Sequence, residues 1–170
     1  MIEQQPYENS LTIRKAALSD ADNLSKHLIT CWADTYSTSL GEQQAREIAK
    51  RYHNVEMVSK AIDDPSRVFL LALKNNQVIG SARAKPVADG AVYLECIYIT
   101  SHAQKQSIGT HLLKRVLKPF DEKTPVYLEV EQNNLKAIHF YKKHGFEIQS
   151  EEKSCMQDAV STPIYIMQKG

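Results

Sequence analysis

The stretch Ile97-Tyr98-Ile99-Thr100-Ser101-His102-Ala103-Gln104-Lys105-Gln106-Ser107-Ile108-Gly109-Thr110 passes from a strand directly into a helix, and its reading decides the fold. Beyond it, Ile108, Leu112 and Val116, with Leu113 and Leu117 beside them, recur at helical spacing until Pro119. Thr124-Pro125 then precedes Val126 to Val130, a second strand. A strand, a helix and a strand in that order imply a parallel pair joined by a right-handed crossover.

Working toward the N-terminus, Asp89-Gly90 is a turn signal leading into Ala91 to Thr100. Val68 to Leu73 and Val78 to Ala84 read as strands around the polar turn Lys74-Asn75-Asn76-Gln77, so three strands form an antiparallel meander. Leu11, Ile13 and Lys15 open with a short strand. Ser19-Asp20 offers an N-cap to a helix carrying Leu24, His27, Leu28, Cys31 and Trp32. Glu42 to Ile62 is again helical and amphipathic, with His53-Asn54 able to break it in two before Asp63-Asp64-Pro65. Toward the C-terminus, Leu135 to His144 is a helix and Gly145 suits its C′ position. Phe146 to Gln149 and Ile164 to Met167 complete the sheet around a polar excursion from Glu151 to Thr162. The expected fold is α+β. It has a mixed, mostly antiparallel sheet of six to seven strands, a parallel pair formed by the fourth and fifth, and helices on both faces.

The 170 residues show no repeat, low-complexity tract or Pro/Gly/Ser linker, so a single domain over 1–170 is expected. Hydrophobic residues make up 42% and charged residues 24%, the balance of a globular protein. Twenty-one Lys and Arg against twenty Asp and Glu leave a net charge of +1, without the cationic footprint of a nucleic-acid binder. Met1 to Glu8 is polar and unlike a secretory signal. No apolar run approaches the roughly 18 residues of a membrane-spanning helix. Cys31, Cys96 and Cys155 are odd in number and widely spaced, which argues against a disulfide framework or a structural zinc site. A cytoplasmic protein with ordinary thiols, no membrane partner and no metal is expected; a homodimer is left open.

In the strand-to-helix segment, small residues allow close backbone approach, and the free N–H groups of the first helical turn suit a pyrophosphate. An ordinary turn with Ser107 as N-cap is the alternative. A second segment follows: Val126-Tyr127-Leu128-Glu129-Val130, then Asn134-Leu135-Lys136-Ala137-Ile138-His139-Phe140-Tyr141-Lys142-Lys143-His144-Gly145-Phe146. Taken singly, Asn134 reads equally as an N-cap and Tyr141 as a core aromatic.

Together the two segments resemble the GCN5-related N-acetyltransferase superfamily. Gln104-Lys105-Gln106-Ser107-Ile108-Gly109 is similar to its coenzyme signature Q/R-x-x-G-x-G/A. Asn134, Ala137, Phe140, Tyr141, Lys143, Gly145 and Phe146 match its pattern N-x-x-A-x-x-F-Y-x-K-x-G-F. One departure is Ser107, where the family has glycine. A helix-entry residue normally has negative φ, so coenzyme binding is expected to survive the replacement.

The resemblance implies direct attack of an amine on acetyl-CoA within a ternary complex. Freeing the lone pair of an alkyl amine at neutral pH costs about 4–5 kcal/mol, so a base and an acid are needed. By the resemblance, Tyr141 is the acid near the coenzyme sulfur, and Asn134 hydrogen-bonds the pantetheine arm or a water. The backbone of Ile97 and Ile99 binds pantetheine, the amides of Lys105, Gln106, Ser107, Ile108, Gly109 and Thr110 hold the pyrophosphate, and Gln104 and Lys143 complete the coenzyme set.

For the base, alternation puts Tyr93, Glu95, Ile97 and Ile99 on one face and Leu94, Cys96 and Tyr98 on the other. A charge in so apolar a strand points to Glu95. The alternative is a carboxylate paired across strands to Arg83 or another cation, with Glu129 and Glu131 as other candidate bases. Cys96, pointing away, is expected to be a core thiol. Trp32-Ala33-Asp34-Thr35-Tyr36, the strand around Glu95 and the tail from Ser154 to Ile166 are similar to bacterial polyamine N-acetyltransferases. That implies a small amine or polyamine held by Asp34, Glu95 and Glu129, with Tyr36 shaping the wall; core packing of Trp32 and Tyr36 is the alternative. A peptide or protein N-acetyltransferase and a non-catalytic acyl-CoA-binding regulatory module are the competing readings.

Overall fold

Helical and extended segments follow the hydrophobic periods closely. The computed structural model describes residues 11–156 and 160–170, without the side chains of 155–160. Expectations for Met1 to Glu8, the Cys155 thiol and part of the Ser154 to Ile166 motif lie outside the described residues. Strand β1 (Thr12–Lys15) leads to α1 (Ala21–Leu40), α2 (Glu42–Tyr52) and α3 (Val55–Asp63). The meander is β2 (Val68–Lys74), β3 (Gln77–Pro86) and β4 (Val92–Ile99). Helix α4 (Ile108–Leu117), β5 (Val126–Glu131), α5 (Leu135–Lys143), β6 (Glu147–Met156) and β7 (Val160–Lys169) follow. The seven strands lie in the order β1-β2-β3-β4-β5-β7-β6, and β4 with β5 is the parallel pair.

Local chemistry explains the boundaries. Asn54 accepts from Met57 N at 3.0 Å and starts α3, so the expected break at His53-Asn54 is present. Gly145, at φ 87°, closes α5, with Gly145 N donating to Lys142 O and Phe146 N to Tyr141 O. Asp20 behaves differently from expectation. It makes no side-chain cap for α1; its carboxylate instead accepts from Ala17 N and from both Arg14 nitrogens, stapling β1 to the helix entry. The Glu151 to Thr162 excursion is also corrected. Backbone pairing continues from Glu147↔Gln168 to Met156↔Val160, so most of it is a long hairpin, with Glu151, Glu152 and Lys153 exposed and Thr162 buried.

Two cores sandwich the sheet. On one face Ile108, Leu112, Leu113 and Val116 of α4, with Ile138 and Tyr141 of α5, pack on Leu94, Leu128, Val130 and Met167. On the other, Leu24 and Leu28 of α1 pack with Val58 and Leu71, and Trp32 with Ala45 and Ala49. The second core contains buried histidines. His27 sits between Ser81 Oγ at 3.1 Å and Cys31 Sγ at 3.7 Å, and Ser25 Oγ donates to the His53 carbonyl at 2.6 Å. Burial pushes both imidazoles down to about 4, from an ordinary value of 6.5. Among the described residues, no helix is long and apolar enough to cross a membrane.

Those two histidines bind protons less readily folded than unfolded. Stability is therefore full above about pH 6.5 and lost as pH falls toward 4, by about 3 kcal/mol for each ring. Urea denaturation between pH 7 and 4.5 is expected to show this slope, and His27→Gln, which can still bond Ser81, is expected to remove about half of it.

Candidate active site

Strands β4 and β5 are matched at only two positions, Val92↔Val126 and Tyr93↔Tyr127. Beyond Tyr93 they part. On its other edge β4 stays paired with β3, but the register shifts: Ala84 faces Leu94 while Arg83 faces Cys96, so Glu95 has no partner. An extra residue of this kind bends and twists a strand. It also reverses the alternation expected from the sequence. Leu94 shares the α4-side core with Ile97 and Ile99, whereas Tyr98 packs against the α1-side clusters. Cys96, expected to point away from the Tyr93 side, lies on that side within electrostatic reach of Cys31 and Tyr141. It is a buried free thiol held protonated by burial, which leaves it a packing residue. Past the bulge, the main-chain edge of Ile97 to Ile99 faces an opening instead of a strand.

That opening leads to the Gln104–Thr110 loop. Gln104 Nε2 donates to the Ile99 carbonyl at 3.3 Å and Gln106 Nε2 to the His102 carbonyl at 3.2 Å, tying the loop to the strand end. Lys105 and Ser107 take φ of 63° and 62°. Ser107 is therefore left-handed, not negative in φ as expected, and its hydroxyl makes no cap hydrogen bond. Among the described residues, the N–H groups of Lys105, Gln106 and Ser107 donate to no main-chain carbonyl. Those of Ile108, Gly109 and Thr110 belong to the first turn of α4. A run of free N–H groups with left-handed residues and a helix N-terminus makes a concave site for an anion. Gly109 serves packing: a Cβ there would meet Phe140 Cε2 at 3.3 Å. His144 reinforces this contact, accepting or donating with Thr110 Oγ1 at 3.1 Å and resting on the Phe140 ring at 4.4 Å.

On α5, Asn134 is the N-cap, its Oδ1 accepting from Ala137 N at 3.2 Å, which leaves its Nδ2 able to donate elsewhere. Tyr141 is 8% exposed, with Phe140 and Phe146 edge-on to its ring. Its hydroxyl has no hydrogen-bond partner among the described residues. Burial first, then the neighbouring Cys96, Tyr36 and Tyr93, raise its pKa, so it keeps its proton at neutral pH. Lys143 is exposed.

The α1 side of the opening carries carboxylates. Glu131 is 4% exposed and accepts from Ser39 Oγ at 2.7 Å. Glu129 lies two residues earlier on the same face. Although the residue reaches solvent, desolvation of its carboxyl and then the Glu152 charge raise its pKa, with the Tyr93 hydroxyl opposing as a donor. Among the described residues no cation lies in ion-pair range of Glu129, Glu131 or Glu152. Tyr36 stacks on Trp32 at 4.3 Å, and burial plus Glu131 and Glu129 push it to about 12. Trp32 is a core residue packed with Ala45 and Ala49. Asp34 is exposed on α1, with its charge felt by Cys31.

Glu95 is placed differently from these carboxylates. Arg67 Nε and Nη2 donate to it at 2.8 and 3.2 Å, and Lys85 Nζ lies 3.5 Å away. Arg83 Nε is 3.1 Å from it but off the hydrogen-bonding line. The sequence singled out Tyr36, Glu129 and Tyr141, which come together. It missed Tyr93, Ser39 and Glu152 as members of the cleft. Tyr93 was visible through its alternation with Glu95, while Glu152 was hidden by reading its strand as an excursion.

A model of the acetyltransferase (GNAT) family matches residues 23–146. Streptothricin acetyltransferase A of Bacillus subtilis (strain 168) is 30% identical over 110 residues, 63% of this chain and 63% of that protein. A probable spermine N(1)-acetyltransferase of Bacillus subtilis subsp. natto (strain BEST195) is 30% identical over 66 residues, 37% of this chain and 43% of its own length. The chain thus spans less than two thirds of either relative. The crystal structure of the PaiA N-acetyltransferase from Thermoplasma acidophilum with coenzyme A superimposes with a TM-score of 0.80. It covers 94% of this chain and 98% of that one at 23% identity, a likeness of fold.

The left-handed angle at Ser107 strains a residue with a Cβ. Ser107→Gly is expected to raise unfolding stability by about 0.5–1 kcal/mol, after allowing for the greater freedom of glycine in the unfolded chain. Ser107→Val should lower it, and urea midpoints of the two variants check both signs.

Proposed function

The chain belongs to the acetyltransferase (GNAT) family, and on that premise we propose that it transfers the acetyl group of acetyl-CoA to a primary amine of a small, cationic acceptor of the polyamine kind. The observation that carries the acceptor class is the pair Glu129 and Glu131, left without cations among the described residues beside Tyr36 and Tyr93, with the exposed Glu152 adding its charge at Glu129. Carboxylates in a partly desolvated cleft are costly unless a cation joins them. The spermine named for one relative is of the same chemistry.

The donor fits the other side of the opening. The free edge of Ile97 to Ile99 can pair with an amide-bearing arm, Asn134 Nδ2 can donate to it, and the N–H groups from Lys105 to Thr110 can hold a pyrophosphate. Acetyl-CoA supplies an activated thioester carbonyl. Everything else falls to the chain. Glu129 accepts a proton from the acceptor ammonium, and its raised pKa brings it toward the range where a base works best near neutrality. Glu95, already engaged by three cations, is the weaker candidate. Tyr141, kept protonated, donates to the leaving sulfur as the amide bond forms. Glu131 and Tyr36 steady the rest of the acceptor.

Thiol release from acetyl-CoA with a panel of amines is the direct test, and release dependent on spermine or a related amine is expected. Release with peptides alone would overturn the acceptor class, and tight coenzyme binding without any release would make the chain a binding module. Tyr141→Phe is expected to lower kcat by about a hundredfold or more with little change in KM for acetyl-CoA. Glu129→Gln is expected to lower kcat/KM by about 10²–10⁴ and to remove the acidic limb of its pH profile, which lies above the ordinary glutamate value.

A further inference from the structure

Glu95 is the residue that β4 inserts without a partner on β3, at the point where β4 leaves β5. Its three cations all come from one side. Arg67 immediately precedes β2, and Arg83 and Lys85 belong to β3, while β5 lies across the opening. The group is partly or largely shielded: the side chains of Arg67, Arg83 and Lys85 are 17%, 18% and 35% exposed, and that of Glu95 is 11% exposed. Arg67 is fixed further by Asp64 at 3.3 Å, and the Arg83 guanidinium lies over the Phe69 ring at 5.3 Å. Charges held this rigidly and this far out of water attract strongly, and a bidentate guanidinium adds direction. The pull on the bulged residue is toward β3 and away from β5.

We infer that Glu95 is a positioning residue: its ion pairs with Arg67, Arg83 and Lys85 hold the β4 bulge on the β3 side and so keep the slot between β4 and β5 open to the coenzyme arm. The inference rests on reading that slot as the coenzyme site. Two features follow from the brace together. The bulge turns Ile97 and Ile99 toward the α4 side and presents their main-chain edge to the slot. It also leaves Tyr93 and Cys96 on the acceptor side. Glu95 acts on coenzyme through this geometry and takes no proton from the acceptor.

Glu95→Gln is a sharp probe. The glutamine carbonyl can still accept from one Arg67 nitrogen, but its amide is a donor set against the other Arg67 nitrogen and against either Arg83 or Lys85, so the brace loosens while size is kept. Coenzyme A binding, followed by calorimetry, and the KM for acetyl-CoA are expected to weaken about tenfold or more, the scale set by displacement of a positioned group. Saturating kcat is expected to stay within about threefold, with the acidic limb of its pH profile intact. Arg67→Met removes the brace from its other end and should weaken coenzyme A binding in the same direction; it serves equally if Glu95→Gln fails to fold. A fall in kcat of about a hundredfold or more with the limb gone and coenzyme affinity unchanged would make Glu95 the base instead and overturn the inference. So would a lower melting temperature with unchanged coenzyme affinity in both variants. If the unaltered protein bound no coenzyme A, the proposed function itself would fall, a result distinct from either.

Discussion

A parallel pair held by only two residue matches, Val92 with Val126 and Tyr93 with Tyr127, leaves the rest of both strands with main-chain groups in need of another partner. In most sheets a neighbouring strand would supply it. Here β5 finds β7 along its full length, from Val126↔Lys169 to Glu131↔Ile164, and β4 keeps β3. The unmatched edges face each other across the opening. The crossover through α4 cannot close it, because Gly109 and Phe140 pack α4 against α5. The opening therefore begins in the strand pairing and in the bulge at Glu95, and the loop, the helix ends and the tyrosines are arranged around it.

The same parting separates two kinds of charge. The cations of Arg67, Arg83 and Lys85 are spent on Glu95 on the β3 side, whereas among the described residues Glu129 and Glu131 on β5 have none. One carboxylate is consumed by the architecture and the others are not. Sequence position alone does not distinguish them, since all three sit within apolar strands. What distinguishes them is that Arg83 and Lys85 of β3, with Arg67 just before β2, flank the unmatched position of Glu95.

Much of the fold was legible because periodicity is a local signal. The break at His53-Asn54, the meander, the crossover helix and Gly145 all depend on residues a few positions apart. The strand-to-helix loop from Ile97 to Thr110 and the helix after Asn134 were legible as elements for the same reason. The bulge at Glu95 was not, since inserting one unpaired residue depends on the partner strand's register, and it reversed the expected faces of Cys96, Ile97 and Tyr98. The long β6–β7 hairpin was missed because Glu151, Glu152, Lys153 and Ser154 put polar residues on both faces of β6, which reads as loop. Ser107 was misjudged for a third reason. The usual backbone angle of a helix entry is a statistical preference, and the preceding Lys105 had already turned the chain the other way.

Those two left-handed residues give the loop a narrow vocabulary. At Lys105 and Ser107 the backbone admits glycine, asparagine, aspartate and unbranched side chains with tolerable strain, while valine, isoleucine, threonine and proline conflict with the angle. A randomised library spanning Gln104 to Thr110 would consequently return a lopsided alphabet, permissive at Gln106 and restricted on either side of it. Because that filter acts on the angle, it would operate even in a selection for folding alone. Sequence diversity in this loop thus reports backbone handedness before it reports anything about binding.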